Sequence, residues 1–188
     1  MFFADVTAYN LTQIGINLTS GMYKSAQQAS NTCFVVINPI LTVSGLVAIE
    51  NIKVGDKVIS ADIETGDASE KTVLETYVRK VHRLVHLIVN GEEIVTTVDH
   101  PFYVKERGFI EAGRLFVGDK LISVNGDDLI VDEIKIQQCE NPVNVYNFKV
   151  AEYHTYFVGK KNILVHNAQN YSSNITPEME EKILEGQL

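Results

Sequence analysis

Asn167 closes the run Ile163-Leu164-Val165-His166-Asn167, and a small residue, Ala168, follows it. An asparagine amide nitrogen can reach its own backbone carbonyl carbon, close a five-membered succinimide and expel the next residue as a free amine. A neighbouring imidazole can protonate that amine or polarise the carbonyl, which is ordinary general acid work for histidine. Asn167–Ala168 is therefore a candidate for a bond that the chain breaks by itself. Alone the motif is weak, because an asparagine after a buried strand is usually a turn residue. A second candidate junction is Thr32–Cys33, where a thiol stands ready to attack the carbonyl before it. Between the two lie Thr97-Val98-Asp99-His100-Pro101 and the histidine of Glu152-Tyr153-His154-Thr155-Tyr156.

The elements that hold these residues read as an all-β domain. From Cys33 onward, short apolar and β-branched bursts alternate with turn residues. Strands are expected over 33–37, 41–43, 46–49, 58–61, 94–98, 102–105, 109–110, 120–124, 129–136, 143–150, 153–158 and 163–165. Residues 71–89 read as two long strands or one bent one. Asn90-Gly91 and Asn125-Gly126 are hairpin signals, since this pair supplies positive φ twice. Residues 1–32 are polar and slack, with a short helix possible over 22–29. After Asn167 the texture turns polar again, and Thr176-Pro177-Glu178 reads as a helix start.

An internal repeat runs through the domain. Ile49-Glu50-Asn51-Ile52-Lys53-Val54-Gly55-Asp56-Lys57-Val58-Ile59-Ser60 recurs as 112–123, sharing Val-Gly-Asp-Lys, then Val or Leu, then Ile-Ser, at an offset of 118 − 55 = 63 residues. Two copies predict pseudo-twofold symmetry within one β domain, and the Gly-Asp bends are read as architecture without chemistry.

Composition limits the partners. The chain has 188 residues, is 45% hydrophobic and carries a net charge of −8. That balance argues against nucleic acid, which needs a basic footprint. No apolar run is long enough to span a bilayer. The opening Met1-Phe2-Phe3-Ala4-Asp5 does not read as a signal peptide, although a parent protein could carry one upstream. Cys33 and Cys139 are too few for a disulfide framework. His82 and His86 share a strand face too widely spaced for one metal, so they are read as structural.

Four signatures, in order, resemble the Hint (hedgehog/intein) domains, most closely the bacterial intein-like domains of type A. They are Cys33, Thr97-x-x-His100-Pro101, Val145-Tyr146-Asn147-Phe148-Lys149-Val150 leading to His154-Thr155-Tyr156-Phe157, and Val165-His166-Asn167. Each residue has a bland explanation: Cys33 as a small core residue, Thr97 as a strand former, His100 in a turn, His154 in the core. The ordered set is what points to chemistry. The resemblance implies a horseshoe of long bent strands over residues 33–167, flanked by 1–32 and 168–188. It implies that Cys33 converts the Thr32 peptide bond to a thioester, with His100 bonding the scissile nitrogen and Thr97 holding the geometry. His166 would assist cyclisation of Asn167, and His154 one or both cleavages. The domain would act once, as a monomer without metal or cofactor, on its own flanks, with an external thiol or water as acyl acceptor and no nucleic acid or membrane partner. The parent would be a secreted or cell-surface bacterial protein.

This chain departs from the family in three places. Ala168 follows the asparagine where a splicing intein has Cys, Ser or Thr, which implies cleavage at both ends more than ligation. Val36-Ile37-Asn38 replaces small residues including glycine, and Asn147 stands where many inteins have aspartate. Two other readings remain open here. One is an adhesion or spacer module stapled by Cys33–Cys139. The other is a thiol hydrolase acting in trans through Cys33 and His100. A disulfide from Cys139 could also trap Cys33 and place cleavage under redox control.

Overall fold

The computed structural model describes residues 9–10 and 32–167. The helices expected at 22–29 and after Thr176 lie outside the described residues. Every regular element described is a strand or a short 3-10 turn, the all-β class the sequence implies. The strands are β1 Tyr9–Asn10, β2 Pro39–Thr42, β3 Gly45–Ala48, β4 Lys57–Ala61, β5 Asp67–Val89, β6 Glu92–Thr96, β7 Pro101–Val104, β8 Gly108–Glu111, β9 Lys120–Ile122, β10 Asp128–Val150, β11 Thr155–Val158 and β12 Ile163–His166.

The repeat is visible in three dimensions. Turns Ile49–Asn51 and Ala112–Arg114 are both 3-10, and β2, β3, β4, β5 and β6 recur in order as β7, β8, β9, β10 and β11. Gly55 (φ 93°) and Gly118 (φ 96°) occupy the same left-handed bend, which side chains rarely adopt. Their N–H groups donate to Val73 O at 2.9 Å and Val131 O at 2.8 Å. Asp56 Oδ2 accepts from Lys53 N at 2.8 Å, and Asp119 Oδ2 from Phe116 N at 2.9 Å. The Gly-Asp pairs thus close turns.

β5 and β10, 23 residues each, form one long antiparallel ribbon from Val131↔Val89 to Val150↔Val73. Residues 71–89 are therefore one strand. The two strands expected at 129–136 and 143–150 merge into β10, which absorbs Asn141-Pro142 at a register shift between Gln138 and Val143. A proline without an N–H is tolerated at such a bulge. Asn90 (φ 45°) and Gly91 (φ 77°) make the tight β5–β6 turn expected. At Asn125-Gly126 only Gly126 is left-handed (φ 85°). A wider loop forms there, because Ser123 Oγ accepts the N–H groups of Asn125 and Asp127.

Three strands are buried along their whole length: β7, β11 and β12. Their apolar runs sit at the centre of the molecule, in a core that includes Phe34, Ile40, Phe102, Phe148 and Tyr156. Removing a Phe or Leu side chain of this kind from water contributes about 1.5–3 kcal/mol. β12 lies antiparallel to both β7 (Val165↔Phe102) and β11 (Thr155↔His166). The C-terminal end of β12 therefore meets the N-terminal ends of β7 and β11. His100, His154 and His166-Asn167 stand at those ends, so the topology alone gathers them.

Candidate active site

At the first junction, Thr32 and Cys33 are both buried. The N–H of Cys33, which belongs to the Thr32–Cys33 peptide bond, donates to Thr97 Oγ1 at 3.0 Å. Cys33 O accepts from Thr97 N and from Thr96 Oγ1, each at 2.9 Å. Phe34 exchanges backbone hydrogen bonds with Tyr146, at 2.8 and 2.7 Å. Next comes a turn at Val36-Ile37, whose side chains are exposed. Buried Asn38 locks that turn: its Nδ2 donates to Val35 O at 3.0 Å and Val95 O at 2.7 Å. This side-chain competition reduces the strand expected over 33–37 to isolated bridges from Phe34 to Thr96 and Tyr146.

His100 is fully buried and sits 4.1 Å, ring to ring, from Phe34, with Phe102 and Tyr156 edge-on to it. Burial, and secondarily His166, holds its pKa well below the usual histidine range, so it is neutral. Neither ring nitrogen has a hydrogen-bond partner among the described residues. The Cys33 N–H is thus held by Thr97, and His100 packs on Phe34, the residue after Cys33. Burial raises the Cys33 thiol above the ordinary cysteine range, while Arg79 pulls the other way through a hydrogen bond and its charge.

At the second junction, Asn167 N donates to His154 O at 2.8 Å and Asn167 Nδ2 to Phe148 O at 3.1 Å. The rings of His154 and His166 lie 6.3 Å apart. Burial first, and His154 second, pushes His166 down to about 3, so it too is neutral. His154 is lowered by burial and by Lys149. A cavity of about 440 Å³ lined by Asp62, Glu152, Tyr153 and both histidines opens beside them.

One tripeptide of β10 touches both junctions. Tyr146 pairs with Phe34, the Asn147 side chain reaches Thr32, and the Phe148 carbonyl holds Asn167. Two junctions separated by most of the chain thus share one piece of backbone.

Residues 39–168 match the family model of the pretoxin HINT domain. The chain belongs to that family. Its described part is similar to the bacterial intein-like domain of Clostridium thermocellum, at 58% identity and a TM-score of 0.71 over 73% of this chain and 99% of that one. The gp41-1 intein (24% identity, TM-score 0.59, 73% and 99% covered) and the DnaB intein of Synechocystis sp. PCC 6803 (17%, 0.62, 73% and 99%) share the fold. An uncharacterized protein of Methanocaldococcus jannaschii is 30% identical over 97 residues, 48% of this chain. This chain spans only 14% of that relative's length. The chain is thus an intein-like Hint domain, of the class associated with protein splicing and autoprocessing.

This Hint domain places Cys33, Thr97 and His100 around one junction and His154, His166 and Asn167 around the other. Sequence reasoning missed Arg79 and Thr96 as neighbours of Cys33, since strand pairing brings them there from far along the chain. Tyr156 was legible only as part of a motif. Cys139 is a free thiol in the same small apolar cluster as Cys33, which is also free. His82 and His86 are held by protein partners: His82 by Cys139 O, His86 by Glu93 and Gln137. No group among the described residues has the arrangement to hold a metal ion.

Proposed function

We propose that residues 33–167 form a self-cleaving domain whose substrates are its own two junctions. The Cys33 sulfur attacks the Thr32 carbonyl carbon, and the thiol proton passes to neutral His100. The carbon–nitrogen bond then breaks, and the imidazolium returns that proton to the nitrogen, which becomes the amino group of Cys33. Thr32 is left as a thioester on sulfur. Thr97 holds the scissile amide through its N–H while the nitrogen becomes pyramidal. An external thiol or water takes the acyl group and frees residues 1–32.

At the other end Asn167 Nδ2, oriented by Phe148 O, attacks its own backbone carbonyl. His166 gives a ring proton to the leaving nitrogen of Ala168. The proton lost by Nδ2 restores the ring, directly or through His154. The products are a C-terminal succinimide and a free amine on Ala168. Ala168 offers no side-chain nucleophile for a branched ester, so cleavage outruns ligation.

The observation that carries this reading is the burial of Thr32, Cys33 and Asn167, with neutral His100 and His166 buried near them at the meeting ends of β7, β11 and β12. A thiol hydrolase acting in trans fits less well, because the residue held beside buried Cys33 is the chain's own Thr32. Hydroxylamine at neutral pH tests the first step: the reading expects residues 1–32 released as a hydroxamate from the native chain and not from Cys33→Ala. Equal release from both would overturn it.

A further inference from the structure

Thr32 is buried, although it lies on the flank side of the first junction. Its Oγ1 accepts a hydrogen bond from Asn147 Nδ2 at 3.2 Å, between residues 115 apart. The Asn147 amide cannot turn over without losing partners. Its Oδ1 already accepts from Phe148 N at 2.8 Å and from the Tyr156 hydroxyl at 3.2 Å. Both are donors in this setting: one is a backbone N–H, and burial keeps the Tyr156 phenol protonated well beyond its usual range. With Oδ1 committed, Nδ2 faces Thr32 as a donor. Asn147 and Tyr156 are themselves buried, so a side chain at position 32 without an oxygen would cost the junction this buried hydrogen bond.

We propose that Asn147 is a specificity-determining residue for the first junction, selecting a short hydroxyl-bearing residue, threonine or serine, immediately before Cys33. It acts by positioning. Thr32 carries the carbonyl carbon that Cys33 attacks, and anchoring its side chain fixes the torsions that aim this carbonyl at the sulfur. Asn147 then has a use: it presents a neutral donor to the hydroxyl oxygen. The inference rests on the function proposed above.

The test is the rate at which dithiothreitol releases residues 1–32 from the full chain, with release at Asn167 followed in the same samples. Thr32→Ser should stay within about twofold of the native rate. The isosteric Thr32→Val should slow it roughly tenfold, the worth of one buried hydrogen-bonding group, and leave release at Asn167 unchanged. In an Asn147→Leu background the order should reverse, with valine at least as fast as threonine. If Asn147→Leu does not fold, the serine and valine variants in the native domain decide alone. Equal rates for threonine and valine there, or the same ratio in both backgrounds, would overturn this inference and leave the proposed function standing. No thiol-dependent release from the native chain would overturn both.

Discussion

Two opposed influences act on the Cys33 thiol. Burial pushes it up, and Arg79, opposite Val145 on β5, works to bring it down. Because the net shift is upward, the thiolate fraction keeps growing through pH ~8.5, where an ordinary cysteine would be half ionised. Thiol-induced release of residues 1–32 should therefore climb by about tenfold per pH unit across neutrality and not level off by pH 8.5. Arg79→Leu removes the lowering influence, so its profile should lie to higher pH and its rate at pH 7.5 should fall several-fold. Superimposable profiles would show that Arg79 does not act on the thiol. The reactive residues were legible because their types are chemically distinctive: a thiol, a carboxamide, imidazoles in a set order. Arg79 and the Thr32–Asn147 contact were not, because arginine and asparagine are common on strands and in turns, and only long-range pairing brings them to the first junction.

Turn dipeptides announced many of the elements, and the two Gly-Asp bends fell where the repeat put them. The long strands were harder to read. The strands expected over 129–136 and 143–150 are one, because the ribbon only shifts register between Gln138 and Val143. Asn125-Gly126 promised a two-residue turn, and a serine hydroxyl competing for backbone N–H groups widened it. The turn Ala112–Arg114 carries a constraint of its own. Gly113 N donates to Val98 O at 2.8 Å, and a Cβ on Gly113 would collide with Val98 Cγ1. Val98 lies between Thr97 and His100, so pushing it disturbs the first junction. Gly113→Ala should cost about 1–3 kcal/mol in urea unfolding and slow release at Cys33. Val98→Ala should restore part of both. An unchanged midpoint would mean the turn yields freely.

The whole molecule is a duplicated β unit whose central strands converge at one end. This was legible as far as the repeat and the strand count reach. The convergence itself depends on β12 pairing with both β7 and β11, which no local pattern encodes. It makes the two junctions neighbours through Tyr146-Asn147-Phe148. The most direct measurement is the intact mass of the full chain after incubation at neutral pH with and without dithiothreitol, beside Cys33→Ala and Asn167→Ala. The account predicts that residues 1–32 leave only with thiol and only when Cys33 is present. Residues 168–188 should leave only when Asn167 is present, with residue 167 lighter by one water as its succinimide. A product of 1–32 joined to 168–188 should be minor. A chain that stays whole under every condition, or that loses its flanks equally in both variants, would contradict the account.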